Sequence, residues 1–505
     1  MKFRLGSLGA VFAFLAVLGF VSAAGADEVD FREPVVVPRP QKLAYDAKVA
    51  VRLDGGLRVT VDCPDDAAVQ WTTTRLADWF GIRPAVAAAR TAESDAADEG
   101  YRLTVEPGAL TVRARSLQGV RHALYTLRQA AEPMPVGDRV QGWWLPKLTV
   151  EDRPALRFRG VHLCWFADLP KGLVERQIRL AAYYKFNYAV VESWGVFRCE
   201  RHPYLSVADA PLDAAEARRL AALGRDLGIT LVPQMNVLGH AAMARSCAGR
   251  HVALDAHPER APLFEPDGGW NWCLSNPDAR RVVCEHVAEL HEAFGNPPYF
   301  HIGCDEADRP SCPRCRAAAS YGALEEEHIR AVHDLLAARG ARTMMWFDML
   351  LDGWDPKWTG FYAHGHADEA AMFGRLPKDI VICDWFYGKG RETYPTLDHF
   401  RTNGFDTVTS PWKDLGGVDA QFAHARKTAL FGGLQTIWHH FRGQEFGDMM
   451  GHAAQGGWGE GTMPKPGWMS PFSAHWRQVG QDMGVRDRAD QGFYRTEVTR
   501  EILDL

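Results

Sequence analysis

From residue 153 onward, short apolar runs alternate with helical stretches, and this alternation constrains the fold more than any other feature of the chain. Eight runs stand out: residues 159–164, 188–192, 229–235, 299–303, 342–347, 380–385, 407–409 and 432–438. Helical patterns lie between them, clearest at 173–184, 213–227, 277–294 and 325–339. Strand followed by helix, repeated, implies parallel strands, because parallel neighbours need a long crossover connection. Eight such units fit a (β/α)8 TIM barrel with insertions. A doubly wound open sheet is the competing α/β arrangement, but no Gly-rich phosphate loop follows the first strand.

Ahead of the barrel, residues 27–150 read as a small α/β domain. Residues 57–61, 101–105 and 110–114 alternate apolar and polar side chains as half-buried strands do, and 120–131 reads as an amphipathic helix. The Ala-rich, acidic stretch 85–100 reads as a loop, and Pro133, Pro135 and Pro146 mark the way out of the domain. The barrel is expected over 151–464, followed by a helical tail over 465–505 without evident chemistry.

Residues 1–26 have the layout of a secretory signal. A short basic stretch holding Lys2 and Arg4 precedes an apolar run over 8–21, and Ala24-Gly25-Ala26 offers a small-x-small cleavage site. The run is short for a bilayer span of roughly 20 residues. The expectation is an exported protein, periplasmic or extracellular, with no membrane association once the signal is cleaved. Removing the signal leaves 55 basic residues against 63 acidic ones. A mildly acidic chain without Lys/Arg clusters is a poor partner for nucleic acid and a better one for a neutral small substrate.

Of the ten cysteines, only Cys312 and Cys315 lie close together in sequence. A zinc site needs four ligands, and no second pair sits at a suitable spacing. The expectation is therefore a local disulfide or two buried thiols, with no metal and no cofactor.

Barrel chemistry belongs at the C-terminal ends of the strands. Residues gathered there are Asp168, Glu192 with Trp194, Asn236 through His240, Asp305 with Glu306, Trp346 with Asp348, Asp384 through Tyr387, Trp412, and Trp438 with His439 and His440. Acids and tryptophans on one rim suit a ring-shaped hydroxylated ligand, with Trp faces to stack on and carboxylates to work.

His301-Ile-Gly-Cys-Asp305-Glu306 closely resembles the His-x-Gly-x-Asp-Glu motif of glycoside hydrolase family 20. Arg159-Gly160, Lys185-Phe-Asn187 and Pro233 through Gly239-His240 resemble the motifs of that family's first three barrel strands, and 119–129 resembles the end of its small α/β domain. The resemblance implies an exo-acting β-N-acetylhexosaminidase that takes a glycan or amino-sugar substrate. In that family the substrate's own 2-acetamido oxygen attacks the anomeric carbon, which is why the two protein carboxyls need not flank the bond as in most retaining glycosidases. By the same resemblance Glu306 is the acid/base and Asp305 orients the acetamido group. Trp346, Trp385 and Trp438 match the aromatic walls around the N-acetyl group, Arg159 matches a ligand of sugar hydroxyls, and Tyr387 is the candidate for the acetamido oxygen. His301 matches a structural position inside the barrel. The anion beside Glu306 is expected to favour its protonated form.

The chain departs from the family's pattern in several places. Val191-Glu192-Ser193-Trp194 replaces a His-x-x-Asp pattern, and Gln234, Asn236 and Leu238 replace two acids and a proline. Trp438-His439-His440 stands where a Gly-Glu pair is expected. Glu192, with His240, is therefore placed among substrate-binding candidates, although a partnership between the two is the simpler reading. Two other readings stay open: Glu192 as a protein nucleophile opposite Glu306, and a sugar-binding protein that has lost catalysis.

Overall fold

In the computed structural model, which describes residues 31, 33–136, 139–167, 169, 172–241, 251–266, 268–438 and 443–461, the N-terminal unit is one mixed sheet with two helices. Its strands are β1 (Lys42–Leu53), β2 (Arg58–Asp62), β3 (Val86–Ala89), β4 (Tyr101–Glu106), β5 (Ala109–Ala114), β6 (Glu132–Val136) and β7 (Arg139–Asp152). They run in the order β1-β7-β4-β5-β2-β3, with β6 on β7. Helices α1 (Ala67–Phe80) and α2 (Leu117–Ala130) pack against the sheet. Ser116 caps α2 by accepting the N–H of Gly119, satisfying one of the free donors of the first turn.

Two details differ from expectation. Part of the Ala-rich stretch forms β3 along β2, at the end of the sheet, where little side-chain packing is required. Pro133, Pro135 and Pro146 lie within strands and not beyond them. Both positions suit a residue without an N–H: among the described residues β6 pairs with one neighbour only, and Pro146 lies opposite Ala50, beside the irregularity between Asp46 and Ala50. The domain continues to Asp152, the end of β7.

The eight expected runs all become strands of a closed parallel barrel. They are β8 (Phe158–Phe166), β9 (Tyr188–Trp194), β10 (Thr230–Gln234), β11 (Tyr299–His301), β12 (Arg342–Trp346), β13 (Val381–Phe386), β14 (Asp406–Pro411) and β15 (Gly432–Thr436). Helices α3 (Leu173–Tyr183), α4 (Ala214–Leu227), α5 (Val252–Ala256), α6 (Pro277–Ala293), α7 (Pro313–Arg316), α8 (Tyr321–Ala337), α9 (Ala367–Ala370), α10 (Pro395–Thr402), α11 (Leu415–Lys427) and α12 (Gly443–Trp458) complete the described barrel. The short α5, α7 and α9 belong to loops. The expected signal and C-terminal tail, with Asp168, His439 and His440, lie outside the described residues. No helix among the described residues is long and apolar enough to cross a membrane.

Arg159 corrects the sequence reading. It is the second residue of β8, and the catalytic end of that strand lies seven residues on, roughly 20 Å away at strand rise. Its guanidinium forms an ion pair with Glu99 of the N-terminal domain and donates to the carbonyl of Leu156, with Trp458 against one face. It holds the two domains together, at the end of β8 away from Asp305 and Glu306. Lys185 and Asn187 belong to the same junction. Asn187 Nδ2 donates to Glu99 Oε1 at 3.1 Å, and Lys185 Nζ lies 3.0 Å from the Tyr101 hydroxyl and 3.5 Å from Asp152. Burial pulls the Lys185 ammonium down to about 8 against the pull of Asp152.

Removing one partner of a buried pair leaves the other charge uncompensated. Glu99→Ala is expected to lower unfolding free energy by about 3 kcal/mol, read by denaturant titration, while the sugar site keeps its KM. A KM increase as large as the stability loss would return Arg159 to the substrate.

Candidate active site

Strand β11 is short, and the chain leaves it through Ile302-Gly303-Cys304 in a tight, left-handed path. Gly303, Cys304 and Glu306 have φ of 67°, 75° and 45°. Gly303 also packs so closely on Asn236 that a Cβ there would overlap its side chain, and a Cβ on Gly239 would strike the carbonyl oxygen of Asp305. Both glycines are thus required for the β10 and β11 ends to approach each other. His301 is fully buried and accepts the N–H of Gly303 through Nδ1 at 3.1 Å. Burial holds it well below the usual histidine range, so it stays neutral and structural.

Asp348 fixes the strained Glu306. Fully buried, it accepts the Glu306 N–H at 2.8 Å, the ring N–H of His364 at 3.0 Å and the indole N–H of Trp385 at 3.3 Å. The carbonyl of Glu306 accepts the indole N–H of Trp270 at 2.7 Å. The carboxylate itself is left half exposed, 50% of the side chain.

His240 stands between the two acids. Its Nε2 lies 3.3 Å from Asp305 Oδ2 and 3.4 Å from Glu306 Oε2, with the Trp270 ring against it at 4.2 Å. Burial opposes the imidazolium, but the two carboxylates outweigh it and raise the histidine to about 10. Contact with His240 holds Glu306 below the ordinary carboxylate range despite some burial. The expectation that Asp305 would keep Glu306 protonated is reversed, because a cation was not foreseen between them. Asp305, 5% exposed, is instead raised, mainly by burial, and its Oδ1 has no hydrogen-bond partner among the described residues.

A raised histidine stabilises the fold fully below its unfolded value of about 6.5, and the contribution is lost as pH climbs toward the folded value. With His240 at about 10, melting temperature should fall between pH 7 and 10, and His240→Gln should lose that part of the slope. Parallel slopes for the two proteins in calorimetry would remove the imidazolium from the site.

The aromatic candidates come together. Trp346 lies 5.9 Å from Trp438, whose indole N–H donates to the Tyr387 hydroxyl at 2.7 Å. Tyr387 stacks on Trp385 at 4.9 Å. Trp385, Tyr387 and Trp438 form a continuous wall, while Trp346 is fully buried and backs Trp438 from within the barrel. Burial, with the nearby charges of Asp305 and Glu306, pushes the Tyr387 hydroxyl up.

Glu192 does not reach this wall as a free group. It is 2% exposed, its Oε2 accepts from His162 at 3.0 Å and lies 3.3 Å from the Cys164 thiol, and its Oε1 accepts from Asn236 at 2.8 Å. Both oxygens are engaged, so it is corrected from substrate ligand to a buried group bracing β8 and β10, with His162 and not His240 as its hydrogen-bonded partner. Against the reading of Glu192 as nucleophile stands its burial, with Oε2 turned to His162 and Oε1 to Asn236. His162, Trp270 and His364 were missed in the sequence. Only His162 carried a usable signal, since it alternates with Cys164 on a strand next to Glu192.

The family model described as "Glycosyl hydrolase family 20, domain 2" matches residues 33–153, and that described as "Glycosyl hydrolase family 20, catalytic domain" matches 192–421. The chain belongs to glycoside hydrolase family 20. Among curated relatives of this family 20 chain, a β-N-acetylhexosaminidase of Cellulomonas fimi is 28% identical over 251 residues, 45% of this chain and 48% of the relative. A β-hexosaminidase of Vibrio furnissii is 24% identical over 432 residues, 74% of this chain and 62% of the relative. The matched region thus spans about half to three fifths of those proteins. A solved family 20 exo-β-N-acetylglucosaminidase from Vibrio harveyi, in complex with N-acetylglucosamine, superposes with TM-score 0.67 at 17% identity, covering 92% of this chain and 80% of the other. A Streptomyces plicatus N-acetyl-β-hexosaminidase superposes with TM-score 0.62 at 19% identity, covering 93% and 99%. These likenesses establish the barrel and its N-terminal α/β domain.

Proposed function

We propose that this protein is an exo-acting β-N-acetylhexosaminidase that hydrolyses terminal β-linked N-acetylhexosamine with retention, using the substrate's acetamido group as nucleophile. The observation that carries the reading is the division of labour around His240. One carboxylate, Glu306, is half exposed and in contact with a proton-bearing imidazolium. The other, Asp305, is buried with one oxygen unpartnered beside an aromatic wall.

The chemistry follows from those positions. The sugar rests against Trp438 and the edge of Trp385, with the fully buried Trp346 packed against Trp438 and out of its reach, and the acetamido N–H donates to Asp305 Oδ1. Holding the acetamido oxygen close to the anomeric carbon makes its attack effectively unimolecular. Glu306 takes the Nε2 proton of His240 when the leaving oxygen replaces solvent, and gives it to that oxygen as the C–O bond breaks. The oxazolinium that forms is stabilised by the Asp305 carboxylate, and the Tyr387 hydroxyl, which accepts from Trp438, keeps its proton and offers it as a hydrogen bond to the acetamido oxygen. Glu306, now a carboxylate, removes a proton from the water that opens the ring and hands it back to His240 Nε2, restoring both starting protonation states.

The support for family 20 activity over plain glycosidase activity is the burial of Glu192, whose two oxygens are turned to His162 and Asn236. Chromogenic N-acetyl-β-glucosaminide and galactosaminide test the proposal beside the matching glucoside. Turnover of either N-acetyl sugar with an inert glucoside is the expected result, and comparable rates on glucoside would refute it. The same reading includes export, supported by the basic, apolar and small-residue order of residues 1–26. N-terminal sequencing of protein recovered from periplasm or medium should begin at Asp27.

A further inference from the structure

Four buried groups from two loops converge outside the sugar site. Glu265 and Cys273 lie on the loop leading into α6, and Cys312 and Cys315 flank the start of α7, just past Glu306. One ligand atom of each, a carboxylate oxygen and three sulfurs, all lie within 4.8 Å of one another, and all four residues are buried.

The spacing separates a metal from a disulfide. Cys273 Sγ is 3.6 Å from Cys312 Sγ and 3.7 Å from Cys315 Sγ. A disulfide needs about 2.05 Å. Sulfurs about 2.3 Å from a tetrahedral zinc stand about 3.8 Å apart. Three sulfurs within 4.8 Å of one another also exceed what one S–S bond could use, since one would be left over.

The surroundings suit thiolates. The Cys315 N–H points at Cys312 Sγ at 3.3 Å, the Ser275 N–H at Cys315 Sγ at 3.4 Å, and the Arg314 guanidinium at Cys273 Sγ at 3.6 Å. Glu265 is held by Oε2, which accepts the N–H groups of Ser311 and Cys312 at 2.8 and 2.7 Å. Its Oε1 is buried and has no hydrogen-bond partner among the described residues. A carboxylate this well oriented, with one oxygen unused beside three sulfurs, is a ligand in form.

We propose that Glu265, Cys273, Cys312 and Cys315 bind one zinc ion as a closed, four-coordinate structural site. Three soft sulfurs select zinc over magnesium or calcium, and four protein ligands leave no position for substrate. The three thiols release their protons on binding. The ion ties the α6 loop to the segment after Glu306, where Trp270 and Asn271 of the same loop already hold the Glu306 carbonyl and the Asp308 backbone. Sequence spacing concealed the set because Cys273 and Glu265 are far upstream of the Cys312–Cys315 pair.

The test uses the full protein, equilibrated with zinc and passed through a desalting column before elemental analysis and maleimide labelling. About one zinc per chain is expected, with Cys273, Cys312 and Cys315 protected from alkylation until a strong chelator is added. Chelation should also lower the melting temperature, and Cys312→Ser should lose the zinc. Cobalt(II) in place of zinc should show the visible bands of a tetrahedral ion with thiolate charge transfer. Zinc-free protein with all three thiols labelled would overturn the site, as would a disulfide between any two of them in a non-reduced peptide map. If Cys312→Ser does not fold, wild-type metal content and labelling still decide.

Discussion

Glu306→Gln should lose about three orders of magnitude in kcat/KM on a disaccharide, and far less on an aryl glycoside with a strongly acidic leaving group, at nearly unchanged stability. A general acid contributes typically about 10²–10⁴-fold, and its contribution shrinks as the leaving group needs less help. Glutamine keeps the shape of the side chain and removes only the exchangeable proton. Glu306 is half exposed and its backbone, not its carboxylate, carries the Asp348 and Trp270 contacts. Among the described residues its one charged contact is His240 Nε2 at 3.4 Å, and His240 keeps Asp305 as its buried partner in the variant, so a melting temperature close to wild type is part of the expectation. A loss equal for all leaving groups would mean that the substitution disturbed the site and that Glu306 is not the acid.

The fold was readable because barrel strands buried on both faces write continuous short runs into the sequence, and crossover helices separate them. All eight runs became strands, including Gly432–Thr436, whose apolar content is modest. The motif Asp305-Glu306 was readable for a different reason: adjacent residues leaving one strand must share a neighbourhood. What could not be read was which end of a strand a residue serves. Arg159 stands at the start of β8 and therefore faces the N-terminal domain, although its motif lies on a catalytic strand. Cross-strand partners were equally hidden, since Glu192 meets His162 through the register that sets Cys164 beside Glu192. Long loops hid the most. Trp270 and His364 come back to Asp305 and Glu306 from segments with no periodicity, and Glu265 and Cys273 meet Cys312 and Cys315 by the same route.

The acetamido group and Asp305 should be coupled. Against wild type, replacing the substrate's 2-acetamido by hydroxyl is expected to slow cleavage by at least about 10⁴-fold, because an intramolecular nucleophile of high effective molarity is lost. Asp305→Asn should lower kcat on the N-acetyl substrate by about 10²–10³-fold, the scale of one buried electrostatic partner of a developing charge. On the 2-hydroxy substrate the same variant should change little, since no acetamido N–H is there to be oriented. The two losses are then strongly non-additive, which is the signature of groups acting on each other. Asp305 also faces His240, so a purely indirect role through the His240–Glu306 pair is the rival account. That account requires the variant to damage both substrates to the same degree. Equal losses on the two sugars would therefore move Asp305 from the oxazolinium to the proton supply of Glu306, and leave the nucleophile unidentified.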